Sequence, residues 1–205
     1  MKNVYFFFSI ILFVSVYNIC IAQDTTDYYD RGCSKYNNKD YNGAIQDFTK
    51  DIQLHPRNYF SYVMRGMSYD YLKQVDYAIT DYNNALELDS TLDYVYELRA
   101  ITFQKSELYE AALSDFTRAM DLNPSEIRII NERGNLYYDR KEYDKAIDDF
   151  SKSIFLNPAD PNAYFYRGLT KFMLDDIKAA CEDWTKARDL GDKDSQKWLD
   201  KNCNK

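Results

Sequence analysis

The side chains that most often carry out chemistry are few in this sequence, and their spacing matches no catalytic or metal-binding motif. The one histidine, His55, precedes a proline at the predicted end of a helix. Cys-x-x-Cys pairs are absent, so no zinc site is expected. Neither a glycine-rich phosphate loop nor a Gly-x-Ser-x-Gly motif occurs. We therefore expect a protein that is not an enzyme and that uses no cofactor or metal.

The cysteines leave two interpretations open. Cys181 and Cys203 could form a disulfide that fastens the C-terminal helix in an oxidising compartment. The alternative is that both are small apolar packing residues. Cys33 has no histidine partner in the sequence, so we interpret it as a packing or surface residue and not a nucleophile.

The N-terminus has the features of a secretory signal peptide over residues 1–22. Lys2 precedes an apolar run over residues 4–19, and Ala22 is a suitable cleavage site before a polar segment. An uncleaved anchor is the alternative, because residues 4–22 are just long enough to span a bilayer. Lipid attachment at Cys20 is less favoured, since small residues do not precede it. The prediction is a secreted or periplasmic protein, or one associated with a membrane through this segment.

The composition favours an acidic helical protein. It has 33 Asp and Glu against 26 Lys and Arg, with a net charge of −7. This negative field repels phosphate backbones, so a nucleic-acid partner is not expected. Only 6 Gly and 4 Pro are present, which argues against a loop-rich β fold.

A pattern with a period of 34 residues runs through most of the chain. Each copy carries an alanine, an aromatic residue four positions later and a small residue twelve positions earlier. Five copies in register indicate stacked copies of one supersecondary unit. The alanines are Ala44, Ala78, Ala112, Ala146 and Ala180; the aromatic residues are Phe48, Tyr82, Phe116, Phe150 and Trp184; the small residues are Gly32, Gly66, Ala100, Gly134 and Gly168.

These residues resemble the tetratricopeptide repeat, a helix–turn–helix unit with a small residue at position 8, Ala at 20, an aromatic residue at 24 and Pro at 32. The resemblance implies an all-α fold, a right-handed superhelical α-solenoid in which neighbouring hairpins bury a shared core. The predicted repeats are 25–58, 59–92, 93–126, 127–160 and 161–194, and a capping helix follows over 194–202. Asn42, Asp76 and Asp144 are predicted to be N-caps of second helices.

An arginine and an aspartate recur in all five copies, at positions 7 and 23 of the repeat. The family has Leu at position 7, so the arginine marks an Arg-Gly subclass. We expect a structural bidentate ion pair, either between the two helices of a repeat or between adjacent repeats. The residues are Arg31, Arg65, Arg99, Arg133 and Arg167, with Asp47, Asp81, Asp115, Asp149 and Asp183.

The resemblance also implies a binding surface, because the first helices of tetratricopeptide repeats line a concave groove. On this face the family's carboxylate clamp is absent as a unit, since Asn131 takes the place of its lysine. The predicted face is aromatic at both ends and polar around the fourth repeat. Its residues are Tyr29, Tyr36, Phe60, Val63, Met67, Tyr94, Glu97, Ile101, Arg128, Asn131, Asn135, Tyr138, Phe165, Leu169 and Phe172.

An exposed aromatic strip usually marks a site for a protein partner. The expected function is therefore a scaffold or adaptor that binds a peptide or protein segment in the groove. The alternative is a structural self-assembly module of a cell-envelope complex.

Overall fold

The computed structural model describes residues 28–203, and all regular structure in this range is helical. The predicted signal peptide lies outside the described residues, so its cleavage stays a prediction. The helices are α1 (Tyr28–Asn37), α2 (Tyr41–Leu54), α3 (Tyr59–Tyr71), α4 (Val75–Leu88), α5 (Asp93–Lys105), α6 (Tyr109–Leu122), α7 (Ile127–Asp139), α8 (Tyr143–Leu156), α9 (Pro161–Met173), α10 (Ile177–Asp189) and α11 (Ser195–Asn202). None of these helices is long and apolar enough to cross a membrane.

The chain divides into two compact units, one ending at Ser90 and the other beginning at Thr91. In the first unit, α1 packs on α2, α2 on α3 and α3 on α4. In the second unit, consecutive helices from α5 to α11 pack on one another in the same way. Each of the five predicted repeat intervals contains one pair of helices, and α11 follows the last pair.

The turn inside each helix pair contains a residue with positive φ, although none of these residues is a glycine. The φ angles lie between 59° and 64° at Lys39, Lys73, Glu107, Lys141 and Asp175, which are 34 residues apart. Except at Asp175, the residue types gave no signal for this conformation, because it is uncommon outside glycine, asparagine and aspartate. The second helix of each pair starts two residues later.

The predicted N-caps of the second helices are wrong by two residues. The residue before α2 is Asp40, whose carboxylate accepts a hydrogen bond from the Gly43 amide at 2.9 Å. The corresponding residues are Gln74 before α4 and Glu142 before α8. The predicted residues instead lie inside the first turn of each helix. There the acidic side chains of Asp76 and Asp144 still interact favourably with the helix dipole, whereas Asn42 is uncharged.

Close approach of the paired helices explains the small residue and the alanine of each repeat. All five alanines are fully buried, and so are the five aromatic rings that follow them. A Cβ atom added to Gly66 would lie 2.9 Å from Cε1 of Tyr82, inside ordinary contact distance. The ring therefore packs directly on the backbone of the first helix. A larger side chain in place of the glycine would displace the ring.

Every recurring arginine is paired with the recurring aspartate of its own repeat. Nε and Nη2 of Arg133, for example, donate to the two carboxylate oxygens of Asp149 at 2.9 and 2.7 Å. The other four pairs have the same two-bond geometry, with distances of 2.6–2.9 Å. The pair therefore joins the two helices of one repeat, the first of the two expected arrangements.

The same arginines also reach the preceding repeat. Nη1 of Arg65 donates to the hydroxyl of Thr49 at 3.0 Å in the first unit. In the second unit, Arg133 donates to Thr117 and Arg167 donates to Ser151, both at 3.1 Å. One guanidinium group thus links three helices within its unit.

The C-terminal end is closed by α11. The Trp198 ring lies 5.1 Å from Trp184 and 5.7 Å from Phe172, measured between ring centroids. Cys181 in α10 and Cys203 at the end of α11 form a disulfide with a Cα–Cα distance of 5.9 Å. Of the two interpretations that the sequence left open, the structure thus has the disulfide.

We expect Asp149→Ala to destabilise the fold. The Asp149 side chain is 5% exposed and its Arg133 partner is 18% exposed, so the substitution leaves a largely desolvated guanidinium without its carboxylate. The expected loss in the free energy of unfolding is about 3 kcal/mol, measured by urea denaturation with circular dichroism. Asp148→Ala is the matched control, because Asp148 is the exposed neighbour on the same helix. Equal stability of the two variants would contradict a structural role for the pair.

We expect reduction of the disulfide to destabilise the protein. The two cysteines are separated by 22 residues, and closing a loop of this length stabilises the fold by about 3 kcal/mol on the chain-entropy model. Dithiothreitol should lower the Tm of the wild type and leave the Tm of Cys203→Ser unchanged. Cys33→Ser serves as the control and should respond to dithiothreitol like the wild type. An unchanged wild-type Tm under reduction would show that the bridge does not stabilise the protein.

Candidate functional site

The predicted binding residues all lie on the first helices of the repeats, but two of them are not surface residues. Val63 is 4% exposed and Glu97 is 1% exposed. Their inclusion in the binding face is therefore wrong. Helical spacing placed them on the correct helices, but their side chains are buried.

The aromatic strip predicted for the fifth repeat is largely used by the protein itself. Phe165, Leu169 and Phe172 are half-buried and pack against the cluster formed by Ala180, Trp184 and Leu199. Leu199 belongs to α11, so the C-terminal helix accounts for part of this burial. In the third repeat, Ile101 is likewise packed against a buried cluster. These residues can offer only their remaining surface to a partner.

In the first unit, a tyrosine cluster remains accessible. The rings of Tyr41 and Tyr71 are stacked with centroids 4.7 Å apart, and Tyr36 contacts both. Tyr71 is 60% exposed, and Phe60 on the same helix is 48% exposed. Burial raises the pKa of the Tyr36 phenol, and the neighbouring Tyr71 raises it further. The Tyr36 phenol is therefore uncharged at physiological pH.

In the second unit, an ion pair connects two neighbouring first helices. Nη1 of Arg128 on α7 donates to Oε1 of Glu97 on α5. Burial raises the pKa of the Glu97 carboxyl, and Arg128 acts in the opposite direction. Glu126 and Glu132 raise this pKa further through their negative charges. Glu97 thus holds the exposed Arg128 side chain against α5.

Beside this ion pair lies an open cavity of about 570 Å³, which we call the amide pocket. Side chains from α7, from the loop after α8 and from α9 surround it. It is lined by Glu126, Ile127, Arg128, Asn131, Glu132, Asn135, Asn157, Asp160, Asn162 and Tyr166. The pocket brings together three residues of the predicted face, Arg128, Asn131 and Asn135.

Hydrogen bonds fix several side chains of the amide pocket. Nδ2 of Asn131 donates to Oδ2 of Asp160 at 3.3 Å. The other oxygen of Asp160 accepts from the backbone amide of Asn162 at 3.0 Å and caps α9. The Oδ1 atoms of Asn131 and Asn135 are buried and have no hydrogen-bond partner among the residues that the structure describes.

Several residues of the amide pocket were not predicted. Asn157 and Asp160 come from the loop between α8 and α9, where helical spacing makes no prediction. Tyr166 lies on α9 next to the predicted Phe165, one position off the expected face. Asp160 could have been anticipated as an N-cap, because it directly precedes Pro161 and a helical pattern.

Metal binding is not indicated. Within residues 28–203, no group of three or more His, Cys, Asp or Glu side chains is arranged to hold a metal ion.

Family models match two parts of the chain. Residues 61–92 match a model described as a tetratricopeptide repeat, and residues 134–175 match another described as a TPR repeat. These two segments of the chain match tetratricopeptide repeats. No curated protein matches its sequence. The Arg-Gly subclass stays a prediction.

Solved structures of tetratricopeptide proteins share the fold. The crystal structure of MamA protein is 24% identical, covering 90% of this chain and 98% of its own, with a TM-score of 0.75. MamA 41-end from Desulfovibrio magneticus RS-1 is 18% identical, with a TM-score of 0.74. The match covers 82% of this chain and 94% of the MamA chain. YrrB, described as a TPR protein with an unusual peptide-binding site, is 18% identical, with a TM-score of 0.74. The match covers 91% of this chain and 97% of the YrrB chain. The expected all-α repeat fold is confirmed.

The raised pKa of Glu97 predicts a pH-dependent effect of Glu97→Gln. A carboxyl group with a higher pKa in the folded state binds more protons there, so its contribution to stability falls as pH rises above the ordinary value. Glutamine does not titrate. The Tm of Glu97→Gln relative to the wild type should therefore increase between pH 4 and pH 7 in thermal scans.

Glu182→Gln is the control for this experiment, because Glu182 is exposed on α10. Its Tm relative to the wild type should not change with pH in this way. A Glu97→Gln difference that is the same at both pH values would show that burial does not perturb Glu97.

Proposed function

We propose that this protein is a non-enzymatic scaffold that binds a segment of another protein on the first helices of its repeats. The amide pocket is the observation that carries this proposal. It lies on the predicted binding face, it is open, and it contains polar atoms that the protein's own described residues leave unused.

Buried polar atoms in folded proteins nearly always have a hydrogen-bond partner. The oxygens of Asn131 and Asn135 lack one within the described part of the chain. A peptide in extended conformation carries backbone N–H groups that suit such acceptors. Small rotations of the two amides would turn the oxygens towards a bound segment.

Aromatic contacts in the first unit provide a second type of surface. Phe60 and Tyr71 are exposed on α3, and stacking against Tyr41 holds the Tyr71 ring in place. Rigid exposed aromatic side chains contribute strongly to protein interfaces because little entropy is lost when they are covered. The description of YrrB as a peptide-binding TPR protein is consistent with this function. Because the sequence predicts a signal peptide, the proposal includes binding outside the cytoplasm.

The experiment is a selection of random dodecapeptides displayed on phage against the purified protein, followed by Kd measurement of an enriched peptide by fluorescence anisotropy. Asn131→Ala combined with Asn135→Ala removes both amide acceptors. Loss of two hydrogen bonds should weaken binding roughly tenfold. Phe155→Ser is the control, since Phe155 is 83% exposed on α8 and does not line the pocket.

The control should change Kd less than twofold, and circular dichroism should show the same helix content for all three proteins. Failure to enrich any peptide, or equal binding by the double variant and the control, would contradict peptide binding at this face. Light scattering of the purified protein addresses self-assembly, the alternative that the sequence left open.

A further inference from the structure

The amide pocket carries more negative than positive charge. Glu126, Glu132 and Asp160 line it, whereas Arg128 is its only lining cation and is already bonded to Glu97. Within residues 28–203, Glu126, Glu132 and Asp160 form no ion pair with a lysine or arginine. These carboxylates are half-buried, so solvent screens them less than fully exposed groups.

The effect of this charge is visible at the buried Glu97 carboxyl. Glu126 and Glu132 both act to raise its pKa. Two carboxylates that disfavour a further negative charge will favour a positive one at the same place. Glu126 and Glu132 therefore contribute a local negative potential in addition to the protein's net charge.

The neutral groups of the pocket suit the same kind of ligand. The Asn131 amide nitrogen is bonded to Asp160, which leaves its buried oxygen as an acceptor without a partner. Ammonium and guanidinium groups are donors only, so they match a site that offers acceptors. The Tyr166 ring, held between Phe150 and Phe165, adds an aromatic surface over which a cation or its alkyl stem can pack.

We propose that the amide pocket binds a lysine or arginine side chain of the partner peptide. This proposal rests on the proposed peptide-binding function and specifies the chemistry of the bound segment. The polarity is opposite to that of a carboxylate clamp, in which the position of Asn131 is taken by a lysine. The occupant is a basic side chain and not the C-terminal carboxylate of a peptide.

The probe is a set of heptapeptides, fluorescein-Gly-Ala-Ala-X-Ala-Ala-Gly-amide, which carry the dye on the N-terminal amine and in which X is lysine, arginine, norleucine or glutamate. Norleucine keeps the length of the lysine stem without its charge. We expect the lysine or the arginine peptide to bind at least tenfold more tightly than the norleucine and glutamate peptides in anisotropy titrations at 50 mM NaCl. Equal binding of all four peptides would overturn the proposal.

Two double variants distinguish binding in the amide pocket from a general attraction of basic peptides to an acidic protein. Glu126→Gln combined with Glu132→Gln should reduce the preference for the basic peptides about tenfold and leave the norleucine peptide unaffected. Glu87→Gln combined with Glu182→Gln changes the net charge equally at exposed positions outside the pocket, and the preference should remain. An equal loss in both double variants would overturn the proposal.

Three further outcomes also decide against it. If 1 mM calcium chloride alone shifts the side-chain amide NMR signals of Asn131 and Asn135, the pocket is a metal site. If no heptapeptide binds while the phage selection yields peptides that depend on Asn131 and Asn135, the proposed function stands and the basic specificity is wrong. If the phage selection also fails, peptide binding itself is wrong.

Discussion

The bidentate pair between the recurring arginine and aspartate is the interaction on which the repeats depend. Each aspartate lies in the buried interface between two helices, where an unpaired carboxylate would be strongly unfavourable. The pair requires the helices to approach closely, and the adjacent small residue permits this. Because the guanidinium groups of Arg65, Arg133 and Arg167 also donate to the preceding repeat, one side chain sets both the hairpin and its stacking.

Solvent access changes the electrostatic balance of these pairs. In the first repeat, hydrogen bonds from Arg31 lower the pKa of Asp47, and Lys35 adds a second cation at 2.8 Å. In the second repeat, burial dominates and raises the pKa of Asp81 despite its bonds to Arg65. The charged carboxylate is therefore favoured in the first repeat, where Arg31 is accessible to solvent. In the second repeat, where Arg65 is largely buried, desolvation of the aspartate outweighs the effect of the pair.

The scaffold determines which surfaces remain available for binding. Helix α11 and its disulfide close the C-terminal end, and the aromatic residues predicted for binding there contribute to this closure. The polar groups between α7 and α9 do not take part in this closure, and the amide pocket that they line remains open. The negative charge of this pocket agrees in sign with the net charge of −7, so binding of a basic segment should weaken with increasing salt.

The sequence alone determined the fold, because a 34-residue period fixes the helix pairs, their small interface residues and the Arg–Asp pairs. It also placed Arg128, Asn131 and Asn135 on one helical face, since helical spacing decides that directly. Tertiary structure decided which members of the predicted binding face are exposed, and Val63 and Glu97 are buried. It also brought loop residues such as Asn157 and Asp160 to the pocket, because a helical period carries no information about where a loop places its side chains.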